Sequence, residues 1–330
     1  MQAAASCIAS LTLPRMLADE RPLAIFLMGP TASGKTALAC TLADRFALDL
    51  ISVDSALVYR GLNIGAAKPD AVTLAEYPHR LIDIRDPAQP YSAADFRADA
   101  WREMRAITRD GRIPLLVGGT GLYFRALQSG LSDLPEANPE LRQRLASEAA
   151  AQGWAVLHAR LAQLDPVAAS RIRAGDAQRI QRALEVIELT GKPLSLQQGA
   201  MPARFGYRVL KLALIPQDRA LLHSRIAERM DAMIAQGFLE EIRVLRARAD
   251  LHVDLPALRA VGYRQGWQHL DGQFAAGEFR DRAIFATRQL AKRQLTWLRA
   301  ELDARGLEPF APAHQQVAMN AVADFVGESR

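Results

Sequence analysis

Cysteine is nearly absent from this chain, with only Cys7 and Cys40 among 330 residues. Two such residues provide neither a repeated metal spacing nor a disulfide framework, which excludes a disulfide-stapled scaffold and fits a reducing compartment, the cytoplasm. No metal site built from protein ligands alone is visible. No run of about eighteen apolar residues exists, so no membrane span is expected. Residues 1–20 contain apolar stretches but end in Leu17-Ala18-Asp19-Glu20 and lack a basic start followed by a cleavage pattern. They are expected to be a disordered lead-in rather than a secretory signal. Charge of one sign does not dominate either: 41 Lys and Arg stand against 36 Asp and Glu, a formal net charge of +5. At that size the arrangement of charge matters more than its sum. Internal repeats are missing as well.

What is present is half apolar, at 50%, with polar residues well spread, as in an ordinary globular protein. The length allows two domains, or one large domain with an insertion. Leu23-Ala24-Ile25-Phe26-Leu27-Met28 is a continuous apolar run, as is Ile113-Pro114-Leu115-Leu116-Val117, and 48–53 is nearly so. Strands apolar on both faces, separated by helical patterns such as 93–109, predict an α/β fold with a mostly parallel sheet covered by helices. A further strand is expected over 210–215 after a long excursion. Between about 135 and 200 the pattern turns helical and polar, with helices expected over 139–151, 154–164 and 177–189. The expected organisation is an α/β core over 21–134 and 201–315, a helical insertion over 135–200, and a tail over 316–330. Segment 191–207 reads as a loop, and helices are expected over 217–235, 238–248 and about 278–300, with one short closing helix beyond Pro309.

Gly29-Pro30-Thr31-Ala32-Ser33-Gly34-Lys35-Thr36 follows the first apolar run and precedes a helix read over 37–46, the context of a phosphate-binding loop. Glycine permits the turn, the loop amides and the helix N-terminus point at oxyanions, Lys35 supplies a point charge, and Thr36 can ligate magnesium. Asp54, at the end of the 48–53 run, suits a general base, a water-mediated magnesium partner or a helix cap with Ser55. Gly118-Gly119-Thr120-Gly121 lets backbone approach a ligand, and Thr120 offers a hydroxyl and an amide; a plain strand-to-helix turn is the alternative. Lys68 either meets a phosphate or faces water, and His79 either is catalytic or makes a structural hydrogen bond near a strand start. The groups ending the three apolar runs are expected to converge at the carboxyl ends of the sheet.

Arg171, Arg173, Arg179 and Arg182 cluster against one acid, Asp176, and Arg259 and Arg264 form a second basic group. On the last long helix Arg288, Lys292 and Arg299 fall within about 40° of one another, with Ala286, Leu290 and Trp297 on the other side. Such a stripe suits a nucleic-acid backbone or a solvated face. Composition and spacing leave two readings open. One is a small-molecule or nucleotide kinase whose loop binds ATP; the other is a protein acting on a polynucleotide while holding a phosphorylated co-substrate.

The phosphate loop, Ser52-Val53-Asp54-Ser55 with Tyr59 and Gly61, Asn63-Ile64-Gly65-Ala66-Ala67-Lys68-Pro69 and Pro78-His79-Arg80-Leu81-Ile82-Asp83 together resemble the tRNA dimethylallyltransferase, or tRNA isopentenyltransferase, family in its bacterial form. The resemblance continues through Tyr91-Ser92-Ala93-Ala94-Asp95-Phe96, Val117-Gly118-Gly119-Thr120-Gly121-Leu122-Tyr123, Gln178-Arg179-Ile180-Gln181-Arg182-Ala183-Leu184-Glu185, Val261-Gly262-Tyr263-Arg264 and Thr287-Arg288-Gln289-Leu290-Ala291-Lys292-Arg293-Gln294, in order along 22–299. It implies a P-loop NTPase-like core, and transfer of a dimethylallyl group from dimethylallyl diphosphate to N6 of adenosine at nucleotide 37, in tRNAs reading codons that start with U. It implies that Gly29, Thr31, Ala32, Ser33, Gly34, Lys35 and Thr36 grip the donor diphosphate with Mg2+, Thr36 being the metal ligand, helped by Arg225 or Arg229. By the same resemblance Asp54 is the base and Thr120 lies beside the donor. Contact with the tRNA anticodon stem-loop is implied for Asp54-Ser55-Ala56-Leu57, Gln178-Arg179-Ile180-Gln181-Arg182, Arg259-Ala260-Val261-Gly262-Tyr263-Arg264 and Lys292-Arg293-Gln294-Leu295-Thr296-Trp297-Leu298-Arg299. A monomer is expected, without the C-terminal zinc finger that animal and yeast relatives often append.

Overall fold

A computed structural model describes residues 19–199 and 205–327. The apolar runs become β1 (Leu23–Met28), β2 (Leu48–Val53), β3 (His79–Arg80), β4 (Ile113–Gly118), β5 (Arg208–Leu214) and β6 (Arg305–Leu307). They form one six-stranded sheet in the order β3-β2-β4-β1-β5-β6, every neighbouring pair parallel. Because helices cover both faces, the central strands read as continuous apolar runs instead of alternating. Side chains still alternate by face: Ala24, Phe26 and Met28 enter one core, Ile25 and Leu27 the other.

The helices follow from the connections. α1 (Lys35–Ala43) leaves β1, α2 (Ala71–Glu76) precedes β3, and α3 (Ala93–Arg109) and α4 (Gly121–Ser129) flank β4. Between β4 and β5 lie α5 (Pro139–Gln152), α6 (Trp154–Leu164), α7 (Pro166–Arg171), α8 (Ala177–Thr190) and α9 (Leu194–Gln197). α10 (Arg219–Ala235), α11 (Phe238–Arg246), α12 (Tyr263–Leu270) and α13 (Ala276–Leu298) separate β5 from β6, and α14 (His314–Gly327) follows. α1 and α14 cover one face of the sheet, whereas α3, α4 and α10 to α13 pack into the core on the other. Helices α5 to α9 enclose their own core around Leu145, Leu157, Leu161, Ile180 and Leu184. Its polar centre is Glu185, whose carboxylate is buried and accepts from Arg142, Arg182 and the Asn138 amide. No described helix is long and apolar enough to cross a membrane.

The mostly parallel sheet and its major helices match the expectation from periodicity. Short elements differ. The apolar run after His79-Arg80 is not a strand: Leu81 and Asp83 have φ of 66° and 56°, and the charged pair itself pairs with β2. β6 was not expected, because Arg305-Gly306-Leu307 is too short and polar to carry a period. α9 lies inside the 191–207 segment read as a loop, and α12 lies in a stretch to which the sequence assigns no element. The closing helix expected beyond Pro309 is α14, which runs on through most of the segment counted as a tail and buries Ala318, Ala321 and Val322 against the sheet. The expected lead-in lies outside the described residues, save for Asp19 and Glu20.

Candidate active site

β1, β2 and β4 end side by side, so the groups that follow them line one cleft of about 1240 Å³. The loop after β1 wraps the start of α1, with Gly34 at φ 84° as the N-cap, a left-handed conformation that a side chain would strain. Ser33 Oγ donates to the Pro30 carbonyl at 2.8 Å and Lys35 Nζ donates to the same oxygen at 2.6 Å. Thr36 is exposed at the helix start, and its hydroxyl makes no hydrogen bond among the described residues. The Lys35 side chain is half-buried and lines the cleft. Desolvation lowers its pKa to about 8, with nearby Asp54 opposing the shift and Arg229 adding to it.

Both candidate arginines of α10 reach this loop. Arg225 Nε donates to the Ala32 carbonyl at 3.2 Å and its guanidinium lies over the Phe310 ring, 5.1 Å from the centroid. Arg229 donates to Thr31 Oγ1. Burial lowers the Arg229 pKa, opposed by Asp54, and neither arginine forms an ion pair among the described residues. Two cations without carboxylate partners among the described residues therefore face this loop.

Asp54 holds its own turn: Oδ1 accepts the amides of Ala56 at 2.8 Å and Leu57 at 3.4 Å. No described residue hydrogen-bonds Oδ2. The Ser55 amide donates to Thr120 Oγ1 at 3.3 Å, which ties this turn to the start of α4 and leaves the Thr120 proton available. The glycines around Thr120 are required by close packing. A Cβ on Gly118 would lie 2.0 Å from the Val53 carbonyl oxygen, on Gly119 2.3 Å from Gln294 Nε2, and on Gly121 2.4 Å from the Trp297 indole.

Gln294, which the resemblance sets in a tRNA-contact stretch, holds two loops together, a part the sequence does not reveal. It accepts the Thr31 amide at 2.9 Å and donates to the Gly119 carbonyl at 3.1 Å, clamping the phosphate loop to the β4–α4 loop. Nothing in its local sequence distinguishes such a glutamine from a solvated one. Ser52 is likewise a lining residue that the sequence does not single out; its buried hydroxyl lacks a partner among the described residues.

The basic residues separate by burial. Arg179, Arg259, Ala260, Val261, Arg293 and Trp297 line the cleft. Lys292, Thr296 and Arg299, the last of these the C-cap of α13, are exposed, and Lys292 and Arg299 lie on the side of the helix turned away from Leu290 and Trp297. Ser55, Ala56 and Leu57 form its floor, while Gln178 is exposed and Arg264 half-buried. Ile180, Tyr263, Leu295 and Leu298 are buried and have no surface to offer a partner; Gly262 is also buried. Gln181 Nε2 donates to the Arg142 carbonyl and Arg182 pairs with Glu185, so both serve the insertion's own packing. The inward face of α13 runs through Ala283, Thr287, Ala291, Leu295 and Leu298, and Leu290 and Trp297 face the cleft instead.

Lys68 is a buried tether: its ammonium pairs with Asp83 and donates to Asn63 Oδ1 and the Tyr59 carbonyl. His79 Nδ1 lies 2.6 Å from the Tyr77 carbonyl, the structural reading, and desolvation lowers its pKa. Its Nε2 is buried without a partner among the described residues, and the residue lines the cleft. A second cavity of about 510 Å³ abuts the first and shares Ala67, Pro69, Arg229 and Met233 with it.

A family model described as IPP transferase matches residues 57–301. The chain is 61% identical over 319 residues to the tRNA dimethylallyltransferase of Xanthomonas axonopodis pv. citri (strain 306), covering 95% of this chain and 97% of that protein. Its fold is similar to the full-length tRNA isopentenylpyrophosphate transferase of Bacillus halodurans, with a TM-score of 0.68, 34% identity, and coverage of 94% and 98% of the two chains. A eukaryotic dimethylallyltransferase acting on tRNA shares the fold at a TM-score of 0.75 and 24% identity, over 94% of this chain and 80% of that one. With its phosphate loop, its turn at Asp54 and its glycine-threonine loop converging on one cleft, the chain belongs to the IPP transferase family.

Proposed function

We propose that this chain transfers the dimethylallyl group of dimethylallyl diphosphate to N6 of adenosine 37 in tRNAs reading codons that start with U. The observation that carries the reading is the position of Asp54 in the same cleft as a phosphate loop flanked by two unpaired arginines. A phosphate loop alone fits a kinase equally well, and the family of the chain favours prenyl transfer over it.

N6 of adenine attacks the first carbon of the donor, the bond from that carbon to the diphosphate oxygen breaks, and the electron pair leaves with diphosphate. The N6 proton passes to Asp54, whose Oδ2 is unengaged while Oδ1 keeps the carboxylate oriented. Charge growing on the leaving group is met by the loop amides, Lys35, Arg229 and Arg225, and the Thr120 hydroxyl donates toward the donor. Magnesium fits this donor set only together with the diphosphate. Among the described residues no group of three or more His, Cys, Asp or Glu could hold a metal, whereas the Thr36 hydroxyl is unengaged and the buried Ser52 hydroxyl on the cleft wall lacks a partner. Thr36 would be the protein ligand, and the ion when bound supplies neutralisation of the diphosphate.

The tRNA anticodon stem-loop lies against Arg179, Arg259, Lys292, Arg293, Thr296 and Arg299. Its adenine leaves the stack to enter the cleft, a step that is least costly from an unpaired loop. The protein acts as a monomer in the cytoplasm. The test incubates the protein and unmodified tRNA with either labelled dimethylallyl diphosphate or gamma-labelled ATP. Label on tRNA from the prenyl donor alone supports the reading; ATP-dependent phosphorylation of a small acceptor overturns it.

A further inference from the structure

Glu241 lies outside the cleft, in the first turn of α11, yet its carboxylate gathers donors from the two segments, 63–65 and Tyr263, that adjoin two of the cleft's walls. Oε2 accepts the main-chain amides of Asn63 at 3.0 Å and Ile64 at 2.7 Å, and Oε1 accepts the amide of Gly65 at 3.1 Å and the Tyr263 hydroxyl at 2.6 Å. Three successive amides on one anion form a nest of the kind that otherwise binds a free anion. Among the described residues Glu241 has no cationic partner, so its charge is committed to these four neutral donors. A glutamine has one acceptor oxygen and would turn an NH2 toward two of them.

The surroundings make this joint stiff. A Cβ on Gly65 would lie 2.0 Å from the Phe238 ring and 2.7 Å from the Tyr263 ring, and the rings of Phe238 and Tyr263 meet edge to face at 5.1 Å. The far end of the 63–69 loop is tied separately, by the ammonium of Lys68 on Asp83 and on Asn63 Oδ1. Beyond the joint, Gly65, Ala66, Ala67 and Pro69 form one wall of the cleft, and Arg259, Ala260 and Val261, just before Tyr263, form another.

We infer that Glu241 is a positioning residue for transfer: it fixes the wall formed by 65–69 against the 259–261 wall and so sets the gap in which donor and adenine meet. This rests on the prenyl-transfer reading, under which displacing a wall by a fraction of an ångström lowers turnover more than binding. The test measures kcat and both KM values at 20 °C with labelled dimethylallyl diphosphate and an anticodon stem-loop, for Glu241→Gln, Tyr263→Phe and the double variant, beside their melting curves. Glu241→Gln is expected to lower kcat about tenfold or more, with each KM within about threefold of wild type. Tyr263→Phe, which removes one of the four bonds, should lower kcat less, and the double variant should be no worse than Glu241→Gln, because both changes act through one joint. Normal kcat in a folded Glu241→Gln protein, or a defect confined to one KM, overturns the inference. So does full additivity in the double variant. If Glu241→Gln does not fold, an unchanged kcat for Tyr263→Phe does the same. Absence of prenyl transfer by the wild type would instead refute the functional reading beneath it.

Discussion

Asp54 and Lys35 share a cleft and oppose each other in charge, and each has a measurable signature. Replacing Asp54 with Ala removes the proposed proton acceptor and leaves the basic rim intact. Transfer is expected to fall by at least about a hundredfold, the scale of a general base, while tRNA binding in a gel-shift assay is retained. Near-normal transfer would remove Asp54 from that role. Lys35, lowered by desolvation to about 8, titrates within an accessible range. A diphosphate is bound by the ammonium form, so affinity for dimethylallyl diphosphate, measured by calorimetry, should weaken as pH rises above about 8. Lys35→Arg should flatten that profile, since guanidinium stays charged. For folding the sign is opposite. The unfolded lysine, with its ordinary pKa, binds more protons between about 8 and 10.5 than the folded one, so this group makes the ligand-free protein more stable as pH rises through that window.

At the scale of elements, α13 joins the donor loop to the proposed RNA surface. Its Gln294 bridges the Thr31 amide and the Gly119 carbonyl, and its Trp297 packs on Gly121 and stacks on Phe124 with ring centroids 5.8 Å apart. Gln294→Ala removes both bonds and is expected to reduce stability by about 1–3 kcal/mol in urea unfolding, with a loss of transfer beyond what tRNA affinity explains. Gly121→Ala would press a methyl into the indole and should displace this part of α13. A folded, fully active Gly121→Ala protein would contradict the close contact. The Tyr91-Ser92-Ala93-Ala94-Asp95-Phe96 stretch has a plainer explanation at this scale. Ser92 and Asp95 form the capping box of α3, and Phe96 stacks on Tyr123 at 4.3 Å, so these residues start a helix and seat it on α4.

Over the whole molecule, the cleft is bordered by separate basic pieces: Arg179 from the helices between β4 and β5, Arg259 from the loop before α12, and Arg293 on α13, with Lys292 and Arg299 exposed on the outer side of that helix end. If these contact phosphates, tRNA affinity should fall linearly on a log–log plot against salt, and each of Arg179→Ala, Arg259→Ala and Lys292→Ala should reduce the slope by about 1. An unchanged slope would assign that side chain to a solvated face. Arg182 provides the control: it is held by Glu185 and the Pro135 carbonyl, so its replacement should lower the insertion's stability, not the salt slope.

The amino-acid sequence by itself determined what short-range physics controls. The strand, tight loop and helix around Lys35, the two-faced apolar strands and the period of α3 and α13 all depend on residues within a few turns of one another. Tertiary structure alone decided which polar side chains work at the site. Gln294 lies 263 residues from the Thr31 amide it holds, and Glu241 lies 178 from Asn63. It also divided one basic or family-like stretch into lining Arg179 and buried Ile180, and turned Lys68 from a candidate phosphate ligand into a loop tether. The direction of a side chain follows from what packs against its element, and those neighbours arrive from distant parts of the chain. The phosphate loop was therefore legible before folding, and the clamp that holds it was not.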